Sequence, residues 1–174
     1  KWPQWTDLVL KSTANQNGIC SIIVDAHDSD TVYVAVSKIG ETNVYVTRDG
    51  CKTWSALDKS LPTNLYPQRI KLDANKDLLI MYSDGVSCDG SKGAAYRYDT
   101  ITGALTDISL PENHPVGDIT SLKNDANKLV ATTCGRWWTQ AWSDNWKENC
   151  YGDISFVSTD GGNTWKQNDI GGKY

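Results

Sequence analysis

Thr47-Arg48-Asp49-Gly50-Cys51-Lys52-Thr53-Trp54 and Ser158-Thr159-Asp160-Gly161-Gly162-Asn163-Thr164-Trp165 share the pattern S/T-x-D-G-x-x-T-W. Each reads as a closed turn. The Asp carboxylate is placed to accept backbone amides across the bend, the Gly takes a left-handed conformation, and the Trp folds back over the hairpin. Asp49, Gly50, Trp54, Asp160, Gly161 and Trp165 are therefore read as turn builders. A carboxylate committed to turn amides is held ionised, which argues against using Asp49 and Asp160 as an acid and base pair.

On either side of these turns the apolar residues fall in short β-branched or alternating runs, such as Ser21-Ile22-Ile23-Val24, Thr31 to Val36 and Asn43 to Val46. Helical periodicity is hard to find, so the chain is expected to be all-β. Turn chemistry at Asp28-Ser29-Asp30, Asp89-Gly90 and Thr102-Gly103 separates the runs. The order strand, strand, strand, turn, strand recurs in units 18–57, 67–109 and 117–167. The middle unit carries a degenerate turn through Gly103. Four-stranded antiparallel meanders repeating at this interval are the blades of a β-propeller, and residues 1–174 are expected to form one partial propeller of about three blades.

The 174 residues carry 17 basic and 21 acidic side chains, a formal net charge of −4. That balance offers no basic field for a phosphate backbone, and no run approaches the ~20 apolar residues of a membrane span, so neither nucleic acid nor a membrane is expected as a partner. The five cysteines, Cys20, Cys51, Cys88, Cys134 and Cys150, favour an oxidising, extracellular setting and leave at least one thiol unpaired within the chain. No zinc-type spacing is present, so neither a metal nor a cofactor is expected. His27 and His114 stand apart from any Ser or Cys motif, and no catalytic residue is assigned.

The aromatic count is lopsided, with eight Trp and eight Tyr against one Phe. Four of the tryptophans, Trp137, Trp138, Trp142 and Trp146, fall within ten residues between two expected strands. Adjacent Trp137 and Trp138 cannot both point inward from an extended segment. Exposed indole faces stack on the C–H faces of sugar rings, so the segment reads as a carbohydrate platform.

The repeated turn resembles the Asp-box of sialidases and sortilin-type receptors. Taken with Leu78-Leu79-Ile80-Met81-Tyr82-Ser83-Asp84-Gly85, Asp89-Gly90-Ser91-Lys92-Gly93-Ala94, Tyr96-Arg97-Tyr98-Asp99 and Arg136-Trp137-Trp138, in that order and spacing, the chain from Gly18 to Lys166 resembles a stretch of glycoside hydrolase family 74, the xyloglucan-cleaving endoglucanases. The resemblance implies two seven-bladed propellers facing across a cleft, with this stretch in the later blades of the first. It implies that Trp137 and Trp138 stack on a β-1,4-glucan, with Tyr82 and Arg136 in matching neighbourhoods. It also implies an inverting mechanism with two aspartates whose motifs are not found among these residues. An inverting pair needs carboxylates ~6.5–9.5 Å apart, and no two acidic residues outside the turns have a sequence reason to converge.

Three readings follow. The chain is a segment of a secreted xyloglucan-active hydrolase that lines its cleft, or a β-glucan-binding module without hydrolysis, or a sortilin-like protein-interaction piece. In each, an incomplete ring leaves apolar side faces that call for further blades, on another chain or in a longer parent.

Overall fold

Residues 18–85, 92–133 and 154–169 are described by a computed structural model. They form β1 (Ile19–Val24), β2 (Val32–Val36), β3 (Val44–Thr47), β4 (Ser55–Ala56), β5 (Tyr66–Leu72), β6 (Leu78–Ser83), β7 (Gly93–Tyr98), β8 (Leu105–Asp107), β9 (Val116–Leu122), β10 (Asp125–Thr133), β11 (Ile154–Ser158) and β12 (Lys166–Asp169), with no α-helix among them. Each consecutive set of four makes one sheet, with neighbours paired in chain order and antiparallel.

The β-branched and apolar runs form these strands because both faces of β2 and β6 are covered, while β10 buries one face through Leu129, Ala131 and Thr133. In β2, Tyr33 and Ala35 face the middle sheet with Val44 and Val46, while Val32, Val34 and Val36 face away and pack with Tyr45, Cys51 and Trp54. In β6 the alternation is complete. Leu78, Ile80 and Tyr82 pack toward the first sheet and Leu79 and Met81 toward the third, all at 0% exposure.

The first strands of the three sheets lie side by side and run the same way. Ser21 Oγ exchanges hydrogen bonds with the Ile70 carbonyl and amide, Lys71 and Arg69 reach Asp118, and the Ala74 amide donates to Ser121 Oγ. Each of these strands also slips register at its second or third position, between Ile19 and Ser21, between Pro67 and Arg69, and between Val116 and Asp118. Such bulges bend and twist an edge strand. Three face-packed meanders with parallel inner strands are consecutive blades of a β-propeller.

The outer faces of the first and third sheets are left partly open. Ile22 and Val24 on β1 are 50% and 54% exposed, and Leu122 and Val130 on the third sheet are 50% and 38% exposed. These residues alternate with core residues that face the middle sheet, so they occupy the sides where a further blade would pack.

The second Asp-G turn touches the middle sheet through Gly162. Its φ is +96°, and a Cβ there would stand 2.7 Å from Ile108 Cβ and 2.8 Å from its Cγ2. Gly162→Ala is expected to cost about 2–4 kcal/mol, from the left-handed backbone and the overpacking together, read as a lower urea midpoint with an unchanged slope.

Candidate functional site

Because the inner strands run in one direction, equivalent connections gather at equivalent ends. One end carries the connections 37–43, 57–65 and 108–115, together with Ser83, Gly93, Thr133 and Ile154, the strand ends at which the β6–β7 and β10–β11 connections attach. The other end carries residues 25–31, 48–54, 73–77, 99–104, 123–124 and 159–165. The two S/T-x-D-G-x-x-T-W turns therefore sit at the opposite end from Thr133 and Ile154, the described residues that flank the tryptophan-rich segment.

The turn end is a set of local carboxylate clamps. Asp49 Oδ1 accepts the Lys52 and Thr53 amides at 3.0 and 2.9 Å and the Thr47 hydroxyl at 2.8 Å, while Oδ2 accepts the Thr53 hydroxyl at 2.6 Å. Asp160 repeats this with the Thr164 amide at 2.9 Å, the Ser158 hydroxyl at 2.8 Å and the Thr164 hydroxyl at 2.6 Å. Thr47 Oγ1 and Ser158 Oγ in turn accept the Cys51 and Gly162 amides. Gly50 and Cys51 are both left-handed (φ 66° and 67°), as are Gly161 and Gly162. The degenerate middle turn keeps only part of the device, with Asp99 Oδ1 accepting the Ile101 and Thr102 amides.

These donors stabilise the ionised form. The Thr53 hydroxyl and amide, with Thr47, hold the Asp49 carboxyl well below the usual carboxylate range. The Thr164 hydroxyl and amide, with Ser158, lower Asp160 to about 2. Trp165 closes its turn against the neighbouring sheet, its indole Nε1 donating to the Ile108 carbonyl at 3.1 Å. Trp54 packs instead on Val32, Val34 and Val36, the side of the first sheet that faces away from the middle one.

Arg136, Trp137, Trp138, Trp142 and Trp146 lie outside the described residues. Their two chain anchors are described. Thr133 closes β10 and Ile154 opens β11, and the Thr133 hydroxyl donates to the Ile154 carbonyl at 3.2 Å. Tyr82 requires a correction: it is no sugar contact in this arrangement. Its side chain is wholly buried between the first and middle sheets, edge-on to Tyr96 at 6.0 Å, and its hydroxyl donates to Asn43 Oδ1 at 3.3 Å. Strand parity turned the ring inward, and burial pushes its phenol up.

Asn43 is a residue that the sequence reading missed. Only 2% exposed, it directs its Nδ2 to the carbonyls of Lys38, Pro62 and Leu65, so one amide ties the 37–43 connection to the 57–65 connection and, through Tyr82, to the middle sheet. A single Asn at a strand start gives no warning of partners 19 and 22 residues away. Among the described residues, no three His, Cys, Asp or Glu side chains come together to hold a metal ion. No helix among them is long and apolar enough to cross a membrane.

No protein-family model matches the chain. A xyloglucanase of Paenibacillus sp is 33% identical over 144 residues, 79% of this chain and 13% of the relative. The solved family 74 enzyme of Niastella koreensis superposes with a TM-score of 0.71 at 31% identity, over 89% of this chain and 23% of that one. The chain matches a segment of glycoside hydrolase family 74. An oligoxyloglucan-reducing end-specific xyloglucanase of Emericella nidulans is 28% identical over 188 residues, 90% of this chain and 22% of the relative. This chain thus spans less than a quarter of the length of each of these proteins.

Two outcomes follow from this geometry. Asp49 and Asp160 are lowered from 3.8, so the stability they contribute is present above that value and lost as pH falls toward 2. In Asp49→Asn and Asp160→Asn the thermal midpoint is expected to start lower at pH 7 and to fall less steeply between pH 4 and 2 than in the parent. Tyr82→Phe removes one buried hydrogen bond and is expected to cost about 0.5–1.5 kcal/mol in denaturant unfolding, with glycan binding unchanged.

Proposed function

We propose that this chain is a segment of a secreted, xyloglucan-active endo-β-1,4-glucanase, contributing a tryptophan platform to the substrate cleft while carboxylates outside this chain supply the acid and base. The observation that carries the reading is the four tryptophans within ten residues, in a segment whose flanking residues Thr133 and Ile154 lie at the end of the sheets opposite to the carboxylate clamps. The names of the relatives support xyloglucan as the polysaccharide.

On this reading Trp137 and Trp138 stack on successive glucosyl faces. Trp142 and Trp146 extend the apolar surface, and Arg136 donates to hydroxyls at its edge. The turn carboxylates, each saturated by three or four donors, serve the scaffold. The open side faces marked by Ile22, Val24, Leu122 and Val130 receive the remaining blades, from a longer parent or a separate chain.

A second reading, a β-glucan-binding module without hydrolysis, is favoured by the lack of any sequence motif for an inverting pair. It is distinguished by reducing-end release from a longer parent protein carrying the remaining blades, which the first reading expects and the second does not. The 174-residue chain incubated with xyloglucan is expected to release no oligosaccharides by itself, and release would show that the acids reside within it. In affinity electrophoresis on xyloglucan gels, Trp137→Ala and Trp138→Ala are each expected to weaken retardation about tenfold, on the scale of an aromatic anchor. Unchanged mobility in both would remove the platform.

A further inference from the structure

At the turn end, the middle sheet carries a charge where its neighbours carry an apolar side chain. Tyr33, Leu79 and Val130 occupy matching places on the second strands, and the third-strand residues opposite them are Val46, Arg97 and Val157. Strand parity aims Arg97 at the third sheet, on the same side as Leu79 and Ala95. Its side chain is 15% exposed, and its Nε stands 3.1 Å from Oδ2 of Asp73, whose side chain is 0% exposed. Every other ion pair among the described residues has a partner at least 34% exposed. Nε and Oδ2 are not aligned as a hydrogen bond, and neither atom has another such partner among the described residues.

The guanidinium reaches across the sheet boundary. Its Nη2 donates to the Ala126 carbonyl on β10 at 2.6 Å, and a Cβ on Gly161 would stand 3.0 Å from its Nη1. The Gly161 amide in turn donates to the Asn127 carbonyl at 2.9 Å, so one side chain of the middle sheet meets both the start of β10 and the second S/T-x-D-G-x-x-T-W turn. The boundary between the first and middle sheets is closed differently. Asp25 follows β1 as Asp73 follows β5, and each holds its own turn through Oδ1, which accepts the His27 and Asp28 amides in one case and the Asn75 and Asp77 amides in the other. Asp25 Oδ2 accepts the Tyr33 hydroxyl at 2.8 Å, and that ring meets Tyr98 of the middle sheet edge-on at 6.4 Å. A neutral donor and an aromatic contact serve the first boundary where a charged pair serves the second.

Two charges withdrawn from water without an aligned hydrogen bond between them gain little net stability, and apolar replacements of such pairs are often neutral or stabilising. What this pair adds is discrimination. Repeated meanders with apolar sides are similar enough to slip or exchange partners, and a buried charged donor opposes that wherever the wrong neighbour leaves it without an acceptor. We propose that the Asp73–Arg97 pair is a docking key, admitting the third sheet beside the middle sheet in the one register that presents the Ala126 carbonyl and the side-chain-free Gly161 to the guanidinium. Asp73 and Arg97 belong to the same sheet, so a slipped third sheet leaves them paired but buries Nη2 unsatisfied, and a side chain in place of Gly161 would crowd Nη1.

The test compares the 174-residue chain with Arg97→Val and with the double variant Asp73→Asn/Arg97→Val, by urea unfolding and by NMR. Val is the residue that the flanking sheets carry, and Asn keeps an Oδ1 for the Asn75 and Asp77 amides. Three protons report on the boundary: the Ile119 amide donates to Met81 Sδ, the Ala74 amide to Ser121 Oγ and the Trp165 indole to the Ile108 carbonyl. The Ile70 amide, which donates to Ser21 Oγ at the first boundary, is the reference. Arg97→Val is expected to lower the urea midpoint, because the buried Asp73 carboxylate loses its cation. The double variant is expected to return to the parent midpoint or above it, with the three boundary resonances doubled or broadened and their protons exchanging about tenfold faster, and with the Ile70 amide unchanged. A double variant with the parent midpoint and single, parent-like boundary resonances overturns the key, since the register then holds without it. One that stays as unstable as Arg97→Val, or does not fold, overturns it as well, because the pair then serves stability.

Discussion

The strand Leu78–Ser83 depends on company on both sides. Every residue in it is buried, and successive side chains serve different interfaces, Ile80 and Tyr82 with the first sheet and Leu79 and Met81 with the third. A meander of this composition has no solvent face, so it is stable only between two others of its kind. The same constraint explains the outer sheets. Their inward residues are buried like those of the middle sheet, while Ile22, Val24, Leu122 and Val130 remain half exposed for want of a described neighbour. An unclosed row of blades has two such ends, and burying them is worth roughly 1.5–3 kcal/mol for each large aliphatic side chain covered.

Face packing also dictates a division of labour between the two ends of the sheets. Parallel inner strands put the tight turns at one end, where hydroxyls and amides within a few residues saturate each Asp carboxylate. Those turns contribute rigidity, and Trp165 extends it across the sheet boundary through Ile108. The opposite end receives the longer and more varied connections. There Asn43 joins two connections through three carbonyls, and the His114 and Pro115 backbone passes so close to Gly93 that a Cβ there would stand 2.7 Å from Pro115 Cα. Catalytic and binding residues tend to sit on loops carried by a rigid scaffold, and the tryptophan-rich segment is attached at that end.

Much of the fold was legible in the residues because its signals are local. The S/T-x-D-G-x-x-T-W pattern specifies its own clamp, since the bonded partners lie within four residues of the Asp. The β-branched runs between such turns leave little choice but strands. Tyr82 is the opposite case: it was placed beside the glucan only by resemblance, and strand parity with the packing of the first sheet turns it inward, where its hydroxyl meets an Asn 39 residues away.

By itself, then, the sequence determined the turns, the strands, the repeated meander and the scaffold role of Asp49 and Asp160, because each rests on contacts between near neighbours along the chain. Tertiary structure alone decided that Tyr82 is core, that Asn43 stitches two connections, that Gly93 must lack a side chain, and that the clamps and the tryptophan anchors occupy opposite ends. Those outcomes depend on how separate sheets meet, and a burial of that kind leaves no mark in the spacing of any single strand.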